Sequence, residues 1–151
     1  MDSTGPTLYK LMTSFYWAGL AALIWGFVPL LEKLGLAKAS ALAGLFYRSL
    51  GVLLGLVLLL PFMVKPSEIK SVGAKPMVLL ILAGFMASIL GQICFYNALK
   101  SGDISRIVPI SGSYPFLTFL IGIIILGEAW TPVKFVGVIL IVAGIWILKI
   151  G

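Results

Sequence analysis

Histidine is absent from these 151 residues, and there is one cysteine, Cys94. Without imidazole the chain lacks the side chain most used for proton transfer near neutral pH and for binding transition metals. One thiol excludes an internal disulfide and a cysteine-built metal cage. Cys94 sits between Ile93 and Phe95, where it reads as a small hydrophobe. Acids are scarce as well, five in all, and none is paired along the sequence. No glycine-rich phosphate loop appears. Together these absences leave no enzyme chemistry to assign, and no cofactor or metal is expected.

Charge of either sign is thin. Only 11% of residues are Asp, Glu, Lys or Arg, against about 25% in soluble domains. Hydrophobic residues make up 61%, and mean hydropathy is +1.16. That leaves too little polar surface to cover a globule in water, so the chain reads as a multi-pass integral membrane protein. A net charge of +6 would suggest nucleic acid in a soluble protein. Here nearly all Lys and Arg lie between apolar runs, where they meet anionic headgroups. Membrane lipid, not nucleic acid, is the partner this implies.

The expected fold is all-α, a polytopic bundle of five transmembrane helices. A short polar segment, residues 1–13, lacks the marks of a transit or signal peptide, and residues 14–151 form one transmembrane domain. Apolar runs place spans at about 14–31, 40–60, 77–99, 104–126 and 132–150, each near the length that ~30 Å of hydrocarbon requires. Ser40 is a candidate N-cap for the second span, with Pro61 and Pro66 expected to stop it. Thr131-Pro132 is a cap and first-turn pair for the fifth. Short loops make consecutive helices antiparallel. Gly51 and Gly55, Gly84 and Ser88, Ala87 and Gly91, and Gly137 and Gly144 recur at spacings that allow close helix approach.

Polar residues inside the spans are the candidate site. Ser88, Gln92 and Tyr96 fall at i, i+4 and i+8, on one face of an α-helix. Ser111, Pro115, Thr118 and Gly122 repeat the pattern in the fourth span, with Tyr114 beside them. Trp17, Ala21, Trp25 and Pro29 form a stripe on the first. Such faces either converge on a polar, aromatic cavity for a small-molecule substrate or make ordinary interhelical hydrogen bonds. Arg48 lies eight residues into its span, about 12 Å at the helical rise. It needs a partner or water there, and no acid lies well inside any span, Glu32 and Asp103 being only at edges. It either snorkels to the nearer interface or faces the cavity and holds a carboxylate or phosphate. Glu128, beside Ala129-Trp130-Thr131-Pro132, reads as turn or cap chemistry.

The stretch from Gln92 to Glu128 carries the most specific pattern. Its "ALKSGD" turn, its "PISGSYPFLTFL" helix with two prolines, its "LGE" end and the following "PVKFVGVILIVAGIWIL" resemble the EamA module of the drug/metabolite transporter superfamily. Ala22 to Gly26 resembles that module's "LWG", and Tyr47-Arg48 its second-helix arginine. The resemblance covers roughly residues 15–149. It implies one five-helix half of a ten-helix transporter built on an inverted repeat. Small multidrug exchangers of the same superfamily carry a first-helix glutamate, whereas here that span holds no acid before Glu32.

The resemblance implies export of small metabolites, such as amino acids or related solutes and drugs, by alternating access in the cell membrane. A flippase subunit for a lipid-linked sugar and a non-transporting assembly subunit are the alternatives. Basic residues divide evenly between the two loop sides. Lys10, Lys65, Lys70, Lys75 and Lys134 fall on one, and Lys33, Lys38, Lys100, Arg106 and Lys149 on the other. Orientation follows the Lys and Arg bias, so five against five predicts insertion both ways. An antiparallel homodimer, or an inverted-topology partner, would then complete ten helices.

Overall fold

The computed structural model describes the backbone of residues 5–150 and the side chains of residues 12–148. Among them every regular element is helical: α1 (Gly5–Gly35), α2 (Ala41–Met63), α3 (Pro66–Ser71), α4 (Ala74–Phe85), a π-helical turn (Met86–Gly91), α5 (Gln92–Ser101), α6 (Ile104–Ser111), α7 (Tyr114–Ile124) and α8 (Pro132–Ile150). Four stretches are long and apolar enough to cross a bilayer: Met12–Gly35, Ala41–Met63, Ala74–Ser101 and Ile104–Ile124. The fifth, α8, has 19 residues, about 28 Å at the helical rise, and its described apolar part, Pro132–Leu148, is shorter. The chain is thus a helical membrane bundle of four long apolar segments and a shorter one.

Local sequence explains most helix boundaries. The Ser40 hydroxyl accepts from the Ala43 N–H at 3.1 Å, and the Thr131 hydroxyl accepts from the Lys134 N–H at 3.3 Å. Both satisfy first-turn donors that a helix leaves unpaired. The fourth span breaks into α6 and α7 at Gly112-Ser113, between Pro109 and Pro115, as two ring-blocked amides dictate. Gly127, at φ +66°, reverses the chain after α7, and the Glu128 N–H then donates to the Gly122 carbonyl at 3.0 Å.

Several expectations need correction. Pro61 does not stop α2, which runs on to Met63; Pro66 instead opens α3. Helix α1 starts at Gly5, so most of the short polar segment is helical backbone, with residues 1–4 outside the described part. The side chains of Lys10 and Lys149 are also outside it. The π-helical turn sits at residues 86–91, so Ser88 does not keep the angular step that a plain α-helix gives it relative to Gln92. Finally, a Cβ placed on Gly51, Gly55, Gly84, Gly137 or Gly144 would meet no neighbouring atom within 4 Å. Their small-residue faces do not pack within the chain.

What does pack is one corner. Helix α1 meets α5 and α6, α2 meets α5, and α8 meets α6 and α7. Among the described residues one buried cluster forms, Leu36, Ala41, Leu45, Tyr96 and Leu99, flanked by Ile89, Ile93, Phe95, Ile104 and Ile107. No residue of α4 is buried. The two turns at this end are laced together by lysines. Lys33 donates to the Leu99 carbonyl and, at 2.9 Å, to that of Gly102, while Lys100 donates to the Ala39 carbonyl at 2.7 Å. Close approach of α2 is set by Gly44. A Cβ there would meet Leu36 Cδ2 at 2.6 Å and the Tyr96 ring at 3.2 Å. Gly44→Val should therefore cost about 1–3 kcal/mol by overpacking, read as a lower melting temperature in detergent. An unchanged melting temperature would mean that the corner is looser than this geometry.

Candidate functional site

Helix α1 ends with Glu32 one turn before Gly35, which brings a carboxylate to the buried corner. Helix α5 begins with Gln92 and carries Tyr96 one turn later, and α2 carries Arg48 two turns past its cap. Their side chains converge. The Gln92 amide donates to Glu32 Oε1 at 2.9 Å, the Tyr96 hydroxyl donates to the same oxygen at 3.0 Å, and Arg48 Nε lies 3.6 Å from it. One carboxylate oxygen thus ties together three helices distant in sequence.

This overturns the expectation that Arg48 has no acid within reach. Glu32 is at a span edge by sequence, but its side chain reaches the guanidinium because α5 packs against both α1 and α2. Glu32 is the candidate-site residue that sequence reasoning missed as a partner. The signal was there: a lone arginine in an apolar span demands a counter-charge, and Glu32 is the acid nearest to it in the sequence. The pair is unevenly covered, with the Glu32 side chain 10% exposed and that of Arg48 32%. Tyr96 is 3% exposed.

An open groove of about 440 Å³ lies against the pair, lined by Glu32, Arg48, Tyr47 and Tyr96 among apolar residues of α1 and α2. Of the sequence-derived candidates, Arg48, Gln92 and Tyr96 therefore come together, and Ser88 lies half-buried in the π-helical turn beside them. The others do not join them. Tyr114 and Thr118 line a separate groove of about 310 Å³ with Glu128, whose carboxylate lies against Gly122 of α7. Ser111 is exposed at the end of α6, and Trp25 is exposed on α1. A third cavity, about 360 Å³ between α6, α7 and α8, is almost wholly apolar. Among the described residues no cluster of acids and Cys is placed to hold a metal.

Long apolar helices that carry a Glu32–Arg48 ion pair define a polytopic helical membrane protein. The chain belongs to the EamA-like transporter family, which matches it over residues 12–150. It is similar to an uncharacterized protein of Methanocaldococcus jannaschii, 27% identical over 132 residues, covering 87% of this chain and 93% of that one. It is also similar to an uncharacterized transporter of Sinorhizobium, 27% identical over 138 residues, 89% and 95% of the two chains. An uncharacterized transporter of Archaeoglobus fulgidus is 22% identical over 128 residues, 85% of this chain but 45% of that protein. No solved structure matches. Family and relatives make this chain a membrane transporter.

Proposed function

We propose that the chain exports a small metabolite, an amino acid or related solute, across the cell membrane by alternating access. Arg48, Gln92 and Tyr96 form the substrate site with Glu32. The observation that carries this is the convergence of Glu32, Arg48 and Tyr96, from three helices, on the wall of one groove, with Gln92 bonded to Glu32. A satisfied polar knot needs no groove, and a groove for lipid tails needs no charge. Both occur here at the same place.

The working unit is an antiparallel homodimer in this reading. Support comes from the even division of basic residues, from the unpacked glycine faces of α2, α4 and α8, and from the relatives. The Archaeoglobus transporter is about twice the matched length, with room for two modules, whereas the other two are matched almost end to end. A second copy would bring the Tyr114 and Thr118 groove, Ser111 and Trp25 towards the same pathway.

Site accessibility gives a direct test. In a Cys94→Ser background, cysteine at Gln92 or Tyr96 should react with a water-soluble thiol reagent, and transported solute should slow the reaction. Cysteine at Trp25 or Tyr114 should react as well, because the dimer pathway includes them. Protection of all four positions would mean dry helix contacts and would overturn the assignment.

A further inference from the structure

We infer that the groove beside Arg48 takes an amphiphilic anion, a carboxylate or phosphate on an apolar body, and that Glu32 is the resident counter-ion this anion displaces. The inference rests on the transport reading above and names its substrate class.

The geometry of the pair is the first reason. Arginine and carboxylate at their best form a two-pronged contact at about 2.7–2.9 Å. Here there is one contact, through Nε, at 3.6 Å. Among the described residues the guanidinium has no hydrogen bond to another protein group, so its two terminal nitrogens are left for a ligand. Exposure is the second. An incoming molecule meets Arg48, 32% exposed, before Glu32, 10% exposed. Glu32 stays in place when Arg48 turns away, because Gln92 and Tyr96 still donate to Oε1. The exchange then swaps one anion for another at the guanidinium and strands no donor.

The surroundings favour the same sign. Val28, Leu31 and Leu36 give the groove an apolar wall beside the Tyr47 ring, and its ~440 Å³ suits a small molecule. Lys33, Lys38, Lys100 and Arg106 fall at this end of the bundle against Glu32 and Asp103, a net positive field that draws in anions. Facing Glu32 itself are Arg48 from α2 and Tyr96 from α5. Lys33, next to it on α1, spends its amine on the Leu99 and Gly102 carbonyls, and among the described residues no ion pair reaches it from α6. A cation would have to expel Arg48 to reach the more covered partner.

Purified protein in a neutral detergent provides the test, with benzoate and phenyl phosphate as soluble probes, benzylammonium as the opposite charge, and phosphatidic acid doped into the micelles as the lipid source. Both soluble anions should raise the melting temperature, and benzylammonium should not. Glu32→Gln keeps an acceptor for Gln92 and Tyr96 but removes the competing charge, so benzoate should bind on the order of fivefold tighter. The paired variant Glu32→Gln/Arg48→Gln keeps net charge and hydrogen bonding, and should melt near wild type while losing benzoate binding. Competition by phosphatidic acid would place the anion on a lipid headgroup, and its absence on a soluble solute; either agrees with the inference. Unchanged benzoate affinity in Glu32→Gln, or stabilisation by benzylammonium in place of benzoate, would overturn it. Flux of a neutral solute untouched by benzoate would overturn the inference and leave transport standing. Benzoate binding without flux of any solute would overturn the transport reading alone.

Discussion

Arg48→Ala is expected to reduce solute flux on the order of a hundredfold, the scale of losing one partner from a desolvated charge contact, while the protein still accumulates in the membrane. The bundle survives because Glu32 keeps its two other donors, at 2.9 and 3.0 Å, and sits within reach of the bundle end. Glu32→Ala should behave differently. It strips α2 and α5 of their common partner on α1 and leaves a guanidinium about 12 Å along its span with no counter-charge. Even the most lenient scale puts an unpaired arginine deep in the bilayer at ~2.5 kcal/mol, and breaking a buried pair costs about 3–5 kcal/mol. The residual exposure of Arg48 lowers that figure, so a loss of ~2 kcal/mol is expected. Glu32→Ala should therefore lose both flux and several degrees of melting temperature. Failure of Arg48→Ala to accumulate would make the residue structural and remove the support for a substrate role.

The second large effect concerns orientation. A C-terminal reporter active only in the cytoplasm should give signal, and so should one active only outside, because five basic residues stand against five. Two lysines added beside Lys10 should drive the population one way, since orientation follows the Lys and Arg excess. A locked copy should be inactive alone, having no inverted partner to complete ten helices. Mixing it with an oppositely locked copy should restore activity. The unpacked glycines of α2, α4 and α8 give such a pair a surface where backbones can approach closely, a main source of helix attraction in lipid. A wild-type chain found in one fixed orientation would defeat this account and point to a parallel oligomer or a distinct inverted partner.

Much of the fold was legible because helix punctuation is local. Ser40 and Thr131-Pro132 act within their own first turns, and apolar run length follows bilayer thickness, so neither depends on what packs against what. The pairing of Gln92 with Tyr96 was legible for the same reason, being an i, i+4 relation within one regular helix. Ser88 fell outside that logic because a π-helical turn changes the angular step and leaves no mark in composition. Pro61 misled because membrane helices tolerate proline within them, and α2 runs past it to Met63. The Glu32–Arg48 pair was hidden most deeply. Its members belong to different spans, and whether an edge acid reaches an inner arginine depends on how α1 and α2 are each set against α5. Periodicity within one helix carries no such information. The fourth-span stripe is split, with Ser111 on α6 and Thr118 on α7, and the single chain does not bring Trp25, Tyr114 or Thr118 to the groove.

If the proposed site is the pathway, this chain by itself moves a small solute past Glu32 and Arg48. Purified protein reconstituted alone into liposomes loaded with a metabolite mixture tests it most directly, with the lumenal contents measured by mass spectrometry before and after dilution. Wild-type vesicles should show saturable loss of one solute class, and Arg48→Ala vesicles carrying the same amount of protein should retain it. Loss no faster than from protein-free liposomes, or equal loss from the variant, would contradict it.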